Sequence, residues 1–130
     1  MIVDSSAIVA ILWSEPEAEK FVSAIISDGG ASMSAGNYLE AGIVIDRDRN
    51  PELSARMDAT LNKLDIAIAP VTASQAKVAR QAYRDFGKGS GHPAQLNFGD
   101  CFAYALAAET GEPLLYKGDD FVHAGMAKLA

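Results

Sequence analysis

Asn97-Phe98-Gly99-Asp100-Cys101-Phe102-Ala103-Tyr104-Ala105-Leu106-Ala107-Ala108 is apolar on nearly every side of a helical wheel, with Asp100 as its one charge. A helix of that kind is buried all round and belongs at the centre of a domain. Asn97 is a good N-cap and Gly111 a good stop. Leu114-Leu115-Tyr116 then reads as a strand, and Gly118-Asp119-Asp120 as a turn.

Upstream, Ile66-Ala67-Ile68-Ala69 is a short apolar run without alternation, as in a parallel strand covered on both faces. Thr72 caps a helix reaching about Phe86, and Gly87 to Pro93 is a glycine-rich loop. Pro51 opens a helix with Leu53, Met57 and Leu61 inward. Tyr38 to Arg49 is helical, with Leu39, Ile43 and Val44 inward. Ala31 to Ser34 is a strand. Ser14-Glu15-Pro16-Glu17 reads as a capping box. The helix after it carries Ala18, Phe21, Val22, Ile25 and Ile26 on one face and stops at Asp28-Gly29-Gly30. Ile2-Val3 is a strand ending at Asp4, followed by a helix from Ser5 to Trp13. Strands separated by helices give an α/β fold, a mostly parallel central sheet flanked by helices, in one domain over 1–130. Ligands of such sheets bind beyond the carboxyl ends of the strands. Asp4 and the Asp119/Asp120 pair each follow a strand directly and fall on that edge.

The 130 residues are 49% hydrophobic, enough for a core and too many for disorder. No apolar run reaches the roughly 18 residues that span a bilayer. Met1-Ile2-Val3-Asp4 has no basic stretch leading an apolar one, so no secretory signal is expected. The single cysteine, Cys101, fits a reducing cytoplasm. The net charge of −6, from 11 basic and 17 acidic residues, argues mildly against binding nucleic acid through phosphate contacts alone. A metal site gathers carboxylates, and bound cations invert the local field.

Each acid has a structural role to set against a chemical one. Asp4 is a natural N-cap. Glu40, beside Leu39, Ala41, Ile43 and Val44, could snorkel from the edge of an apolar face. Asp100 could complete a capping box with Asn97, although Glu or Gln is usual there. Asp119 and Asp120 suit a turn. Buried carboxylates need partners, and an oxygen-rich set suits Mg²⁺ or Mn²⁺. Neither Cys101 nor His92 and His123 has zinc-ligand spacing. Gly87-Lys88-Gly89-Ser90-Gly91 lacks P-loop spacing. Lys88, Lys117 and Arg84 are candidate phosphate contacts.

Met1 to Leu12 with Glu15-Pro16-Glu17-Ala18-Glu19, Asn37-Tyr38-Leu39-Glu40, Leu96 to Ala107 and Pro113 to Phe121 together resemble the four motifs of PIN-domain ribonucleases. Among these the chain is most similar to the VapC toxins of bacterial VapBC toxin–antitoxin pairs. The resemblance covers nearly the whole chain. It implies a PIN-like α/β domain and a homodimer. It also implies Mg²⁺ or Mn²⁺ held by Asp4, Glu40, Asp100 and Asp120, with Asp119 the alternative fourth acid. The implied activity is that of a hydrolase, a metal-dependent endoribonuclease cutting RNA such as tRNA, and the implied partner is a VapB-type antitoxin. Three positions depart from the family pattern. His123-Ala124-Gly125 stands where a Thr-Asp pair is common, Ser90-Gly91 where an Arg is common, and Ser5 where Thr is common. The first two departures raise the alternative of a catalytically silent PIN-like binding module acting through its antitoxin. A phosphatase or receiver-type domain using Asp4 as acceptor is disfavoured, because Ser6 stands where haloacid-dehalogenase phosphatases want a second Asp.

Overall fold

The computed structural model describes residues 1–126. In chain order the elements are β1 (Ile2–Val3), α1 (Ser5–Leu12), α2 (Ala18–Asp28), β2 (Ala31–Ser34), α3 (Ala35–Asp46) and α4 (Pro51–Lys63). They continue with β3 (Ile66–Ala69), α5 (Ala73–Phe86), α6 (Phe98–Thr110), β4 (Leu114–Leu115) and α7 (Asp120–His123). The sheet order is β3-β2-β1-β4, and every pairing is parallel. The chain therefore winds outward from β1 to β3, then crosses back to lay β4 on the other side of β1. That reversal puts the topological switch point at the carboxyl ends of β1 and β4.

Side chains alternate across the sheet. Val3 and Leu115 join the core under α1 to α4, with Ile8, Phe21, Met33, Ile45 and Met57. Ile2 and Leu114 face the other way, toward Leu96, Leu106, Tyr116 and Phe121. On that side α6 packs against α5, as well as reaching β1, β2 and β4. Its middle is central and buried, at Gly99, Cys101, Ala103 and Ala105 to Ala107, but it is not buried all round as its composition suggests: Phe98 and Ala108 to Thr110 are exposed. Small residues let it lie close to its neighbours. The N-caps Thr72, Asn97 and Asp4 are present as expected, each accepting from a backbone N–H.

Five further expectations fail. Ser14 does not cap α2; it has φ of 52°, and its N–H closes α1 onto Ile11, so α2 starts only at Ala18. Glu15 and Glu17 turn instead to Lys117. On α3, Leu39 and Ile43 are 62% and 55% exposed, because the helix buries Asn37, Ala41 and Ile45, a stripe at spacing four. On α2, Ile26 is outward and only Phe21 and Ile25 are buried. Finally, β3 is not covered on both faces. It is an edge strand paired only with β2, and of its four apolar residues Ile66 alone is buried while Ile68 is 47% exposed. In addition, the expected turn over 118–120 is shorter than read, since Asp120 already begins α7.

Candidate metal centre

A pocket of about 280 Å³ opens at the switch point, lined by Asp4, Ser5, Ser6, Glu15, Glu40, Asn97, Asp100 and Lys117 among others. Three elements deliver its acids: Asp4 leaves β1 and caps α1, Glu40 lies on α3, and Asp100 lies in the first turn of α6.

Asp4 is buried. Its N–H donates to Leu115 O at 2.9 Å, and its Oδ2 accepts from Ser6 N at 3.0 Å. Its Oδ1 is fully buried with no hydrogen-bond partner. Burial raises its pKa from 3.8 to about 7; the Ser6 bond lowers it, and the charges of Asp100 and Glu40 raise it further. A buried carboxylate oxygen without a donor is costly, and a cation supplies what the protein does not.

Asp100 forms a reciprocal capping box with Asn97: Asn97 N donates to its Oδ2 at 3.0 Å, and Asp100 N donates to Asn97 Oδ1 at 2.9 Å. The structural role therefore exists, and it occupies only one carboxylate oxygen. Burial raises this group to about 6, with the Asn97 backbone bond opposing and the Glu40 and Asp120 charges adding.

Glu40 is tied down by two neighbours. Ser5 Oγ and Asn37 Nδ2 both donate to its Oε1, the latter at 3.2 Å. Asn37 also donates to Gly99 O at 2.9 Å, which joins α3 to the first turn of α6. Gly99 is required there, because a Cβ at that position would fall on the Glu40 carboxylate. Sequence reading gave Asn37 and Gly99 no role. Their signal was a buried amide one helical turn before the glutamate, and a glycine inside a helix beside an acid.

Asp120 and Asp119 are both exposed and line the pocket at neither position. They differ in what their charges act on. Asp120 raises Asp100, whereas Asp119 raises Tyr116. Of the candidate cations, Lys117 lies in the pocket but is ion-paired with Glu15 and Glu17. Arg84 bonds Gln81 within α5, and Lys88 lies outside this pocket. His92 accepts from Ala94 N and packs edge-on against Phe86, a structural position.

Asp4, Glu40 and Asp100 thus share one pocket and repel one another, while Asp120 lies outside its lining and acts on Asp100 through its charge. Among the described residues no three His, Cys, Asp or Glu side chains stand close enough to form a finished metal cluster. The donor set still fits Mg²⁺ or Mn²⁺, which take oxygen ligands. Mg²⁺ in particular keeps several waters and uses only one or two protein carboxylates directly. No described helix is long and apolar enough to cross a membrane.

Comparison with known proteins places these features in context. The family model described as PIN domain matches residues 1–126. Ribonuclease VapC28 of Mycobacterium tuberculosis is 50% identical over 128 residues, covering 98% of this chain and 96% of its own. Ribonuclease VapC42 of the same species is 51% identical over 123 residues, covering 95% and 94%. The crystal structure of Mycobacterium tuberculosis VapC20, described as a sarcin–ricin loop cleaving toxin, superposes with a TM-score of 0.76 at 16% identity. It covers 98% of this chain and 96% of its own, and at that identity the likeness concerns the fold alone.

Proposed function

The chain belongs to the PIN-domain family, among its VapC ribonucleases, and from that premise we propose that it is a metal-dependent endoribonuclease, the toxin of a type II toxin–antitoxin pair. Asp4, Glu40, Asp100 and Asp120 would hold the ion, Mg²⁺ or Mn²⁺. The observation that carries the reading is Asp4 Oδ1, a buried carboxylate oxygen left without a partner among like charges. When bound, the ion acidifies an attacking water and neutralises charge on the scissile phosphate.

The chain's own residues prepare that site. The Ser6 N–H fixes one oxygen of Asp4 and leaves the other buried without a hydrogen-bond partner. Ser5 and Asn37 orient Glu40. The Asn97 box fixes Asp100 at the mouth of α6. Without a cation this pocket repels a phosphate backbone, so its charge makes RNA engagement there conditional on metal. The Ser90–Gly91 departure lies in a loop that does not line the pocket, so it gives no support to a silent module. A single PIN domain over 1–130, a homodimer, a VapB-type antitoxin and a cytoplasmic location belong to the same reading.

Purified protein incubated with total RNA tests it. Cleavage should appear with Mg²⁺ or Mn²⁺ and vanish in excess EDTA; cleavage indifferent to EDTA would overturn the mechanism. The same assay assigns the fourth acid. Asp120→Asn should slow cleavage about tenfold, in the range for residues that act on a metal through its outer shell, and Asp119→Asn should leave it nearly unchanged. The reverse order would assign the role to Asp119.

Gly99→Ala should slow cleavage by about 10- to 100-fold with little change in melting temperature. The new methyl displaces the end of a flexible side chain, so Glu40 moves while the helix stays. A variant with wild-type rates would show that the Glu40 position is not needed.

A further inference from the structure

A second cavity, about 740 Å³ and mostly apolar, lies between α5 and α6. It is separate from the acidic pocket but not remote from it, since Asn97 lines both. Phe98, two residues before Asp100, forms its lip and is 80% exposed. The ring meets Phe102 edge-on, with centroids 5.0 Å apart and planes at 84°. Leaving a phenylalanine in water forgoes a large part of its hydrophobic stabilisation. Arg80 and Lys88 also line this groove, and among the described residues neither takes part in an ion pair. Lys117 in the acidic pocket, by contrast, is neutralised by two glutamates.

We propose that this groove is a subsite for an unpaired nucleotide of the RNA substrate, beside the phosphate to be cut; the proposal rests on the ribonuclease reading above. The base would stack on Phe98, and Arg80 and Lys88 would meet the neighbouring phosphates. Aromatic faces bordered by cations are how proteins hold single strands without reading sequence. A duplex offers no free base face, so the groove selects unpaired segments such as loops and ends. Charge favours RNA as the occupant, because the two cations lining the groove complement a phosphate backbone. Continuity through Asn97 also places one nucleotide in the groove while the next phosphate reaches the acids. Arg80 gave no signal in the sequence, being one basic residue among several on an exposed helix.

The test is binding of a labelled oligoadenylate, and of the same strand annealed into a duplex, to the full chain in Ca²⁺, an oxygen-seeking cation that offsets the charge of the acids. Wild type should prefer the single strand by at least about tenfold. Phe98→Ala should lose about tenfold in single-strand affinity, and Phe98→Trp should retain it. The position is exposed, so the fold does not depend on it. Arg80→Ala should lower the slope of log affinity against log salt by about 0.7. Equal affinity of wild type and Phe98→Ala would overturn the proposal. So would a Phe98→Ala protein that sediments as monomer where wild type is a dimer, with RNA affinity per protomer unchanged; the groove would then be a self-interface. Failure of the nuclease reading shows up separately, as no metal-dependent products from total RNA or as cleavage that continues in EDTA.

Discussion

Asp4→Asn is expected to lower RNA cleavage by about a thousandfold while raising the melting temperature of the metal-free protein. The rate loss follows from removing a ligand whose ion supplies several kcal/mol of charge stabilisation in the transition state. The gain in stability follows from the cost of keeping this carboxylate ionised in the fold. Its pKa rises from 3.8 to about 7, which corresponds to ~4 kcal/mol at alkaline pH. Asparagine keeps the acceptor for Ser6 N–H and remains a good cap, but its amide brings a buried donor that costs ~1–3 kcal/mol. The net gain is ~2 kcal/mol, roughly 7 °C for a chain of this size. The pH dependence has a definite sign. The folded-state pKa lies above the unfolded one, so the penalty is absent below about pH 4, grows between 4 and 7, and is complete above 7. Metal-free wild type should therefore gain stability as pH falls from 7 toward 4. The advantage of the variant should be largest above pH 7 and shrink in acid. Added Mg²⁺ should raise the melting temperature of wild type and not of the variant. Thermal melts across pH, with and without Mg²⁺, decide the matter. A variant less stable than wild type at pH 8 would mean that Asp4 already has a compensating partner.

The parts of this fold that are legible in the sequence are those fixed by local chemistry. Asn97, Thr72 and Asp4 cap helices because a side-chain oxygen sits at the right offset from a free N–H. Alternating helices and strands force parallel pairing, and Asp4 falls on the carboxyl edge for that reason; that this edge is also the switch point follows from the strand order, which the sequence does not show. What local pattern does not settle is which face of a helix the rest of the protein covers. Leu39, Ile43 and Ile26 are apolar at helical spacing and still point outward. The sheet and α6 lie on the side of Asn37, Ala41 and Ile45, and only tertiary placement reveals that. The same limit applied at the site. The three acids could be found by their surroundings, but Asn37 could not be assigned, because its two partners, Glu40 and Gly99 O, lie on different helices. Ser14 misled for another reason: a capping-box sequence carries no information on what else competes for its glutamates, and here Lys117 does.

Asp100→Asn and Asp100→Ala should separate the two roles that this residue carries. Both are expected to cut cleavage about a thousandfold, because each removes the charge from the central helix. Their effects on stability should differ. Asparagine retains a carbonyl oxygen for Asn97 N–H and so preserves the box; it also removes a carboxylate whose pKa is pushed up to about 6. Its melting temperature should equal or exceed that of wild type in the absence of metal. Alanine removes the same carboxylate but leaves Asn97 N–H without its acceptor, so it should be ~1 kcal/mol less stable than Asp100→Asn. If Asp100 were only a cap, the order would change: Asp100→Asn would cleave RNA like wild type, and only Asp100→Ala would be impaired, through its stability. Initial rates at saturating Mg²⁺, read beside thermal melts of the same two proteins, distinguish these cases. A cap requires one oxygen of this side chain and no charge, whereas metal-dependent cleavage requires the charge even when the cap is intact.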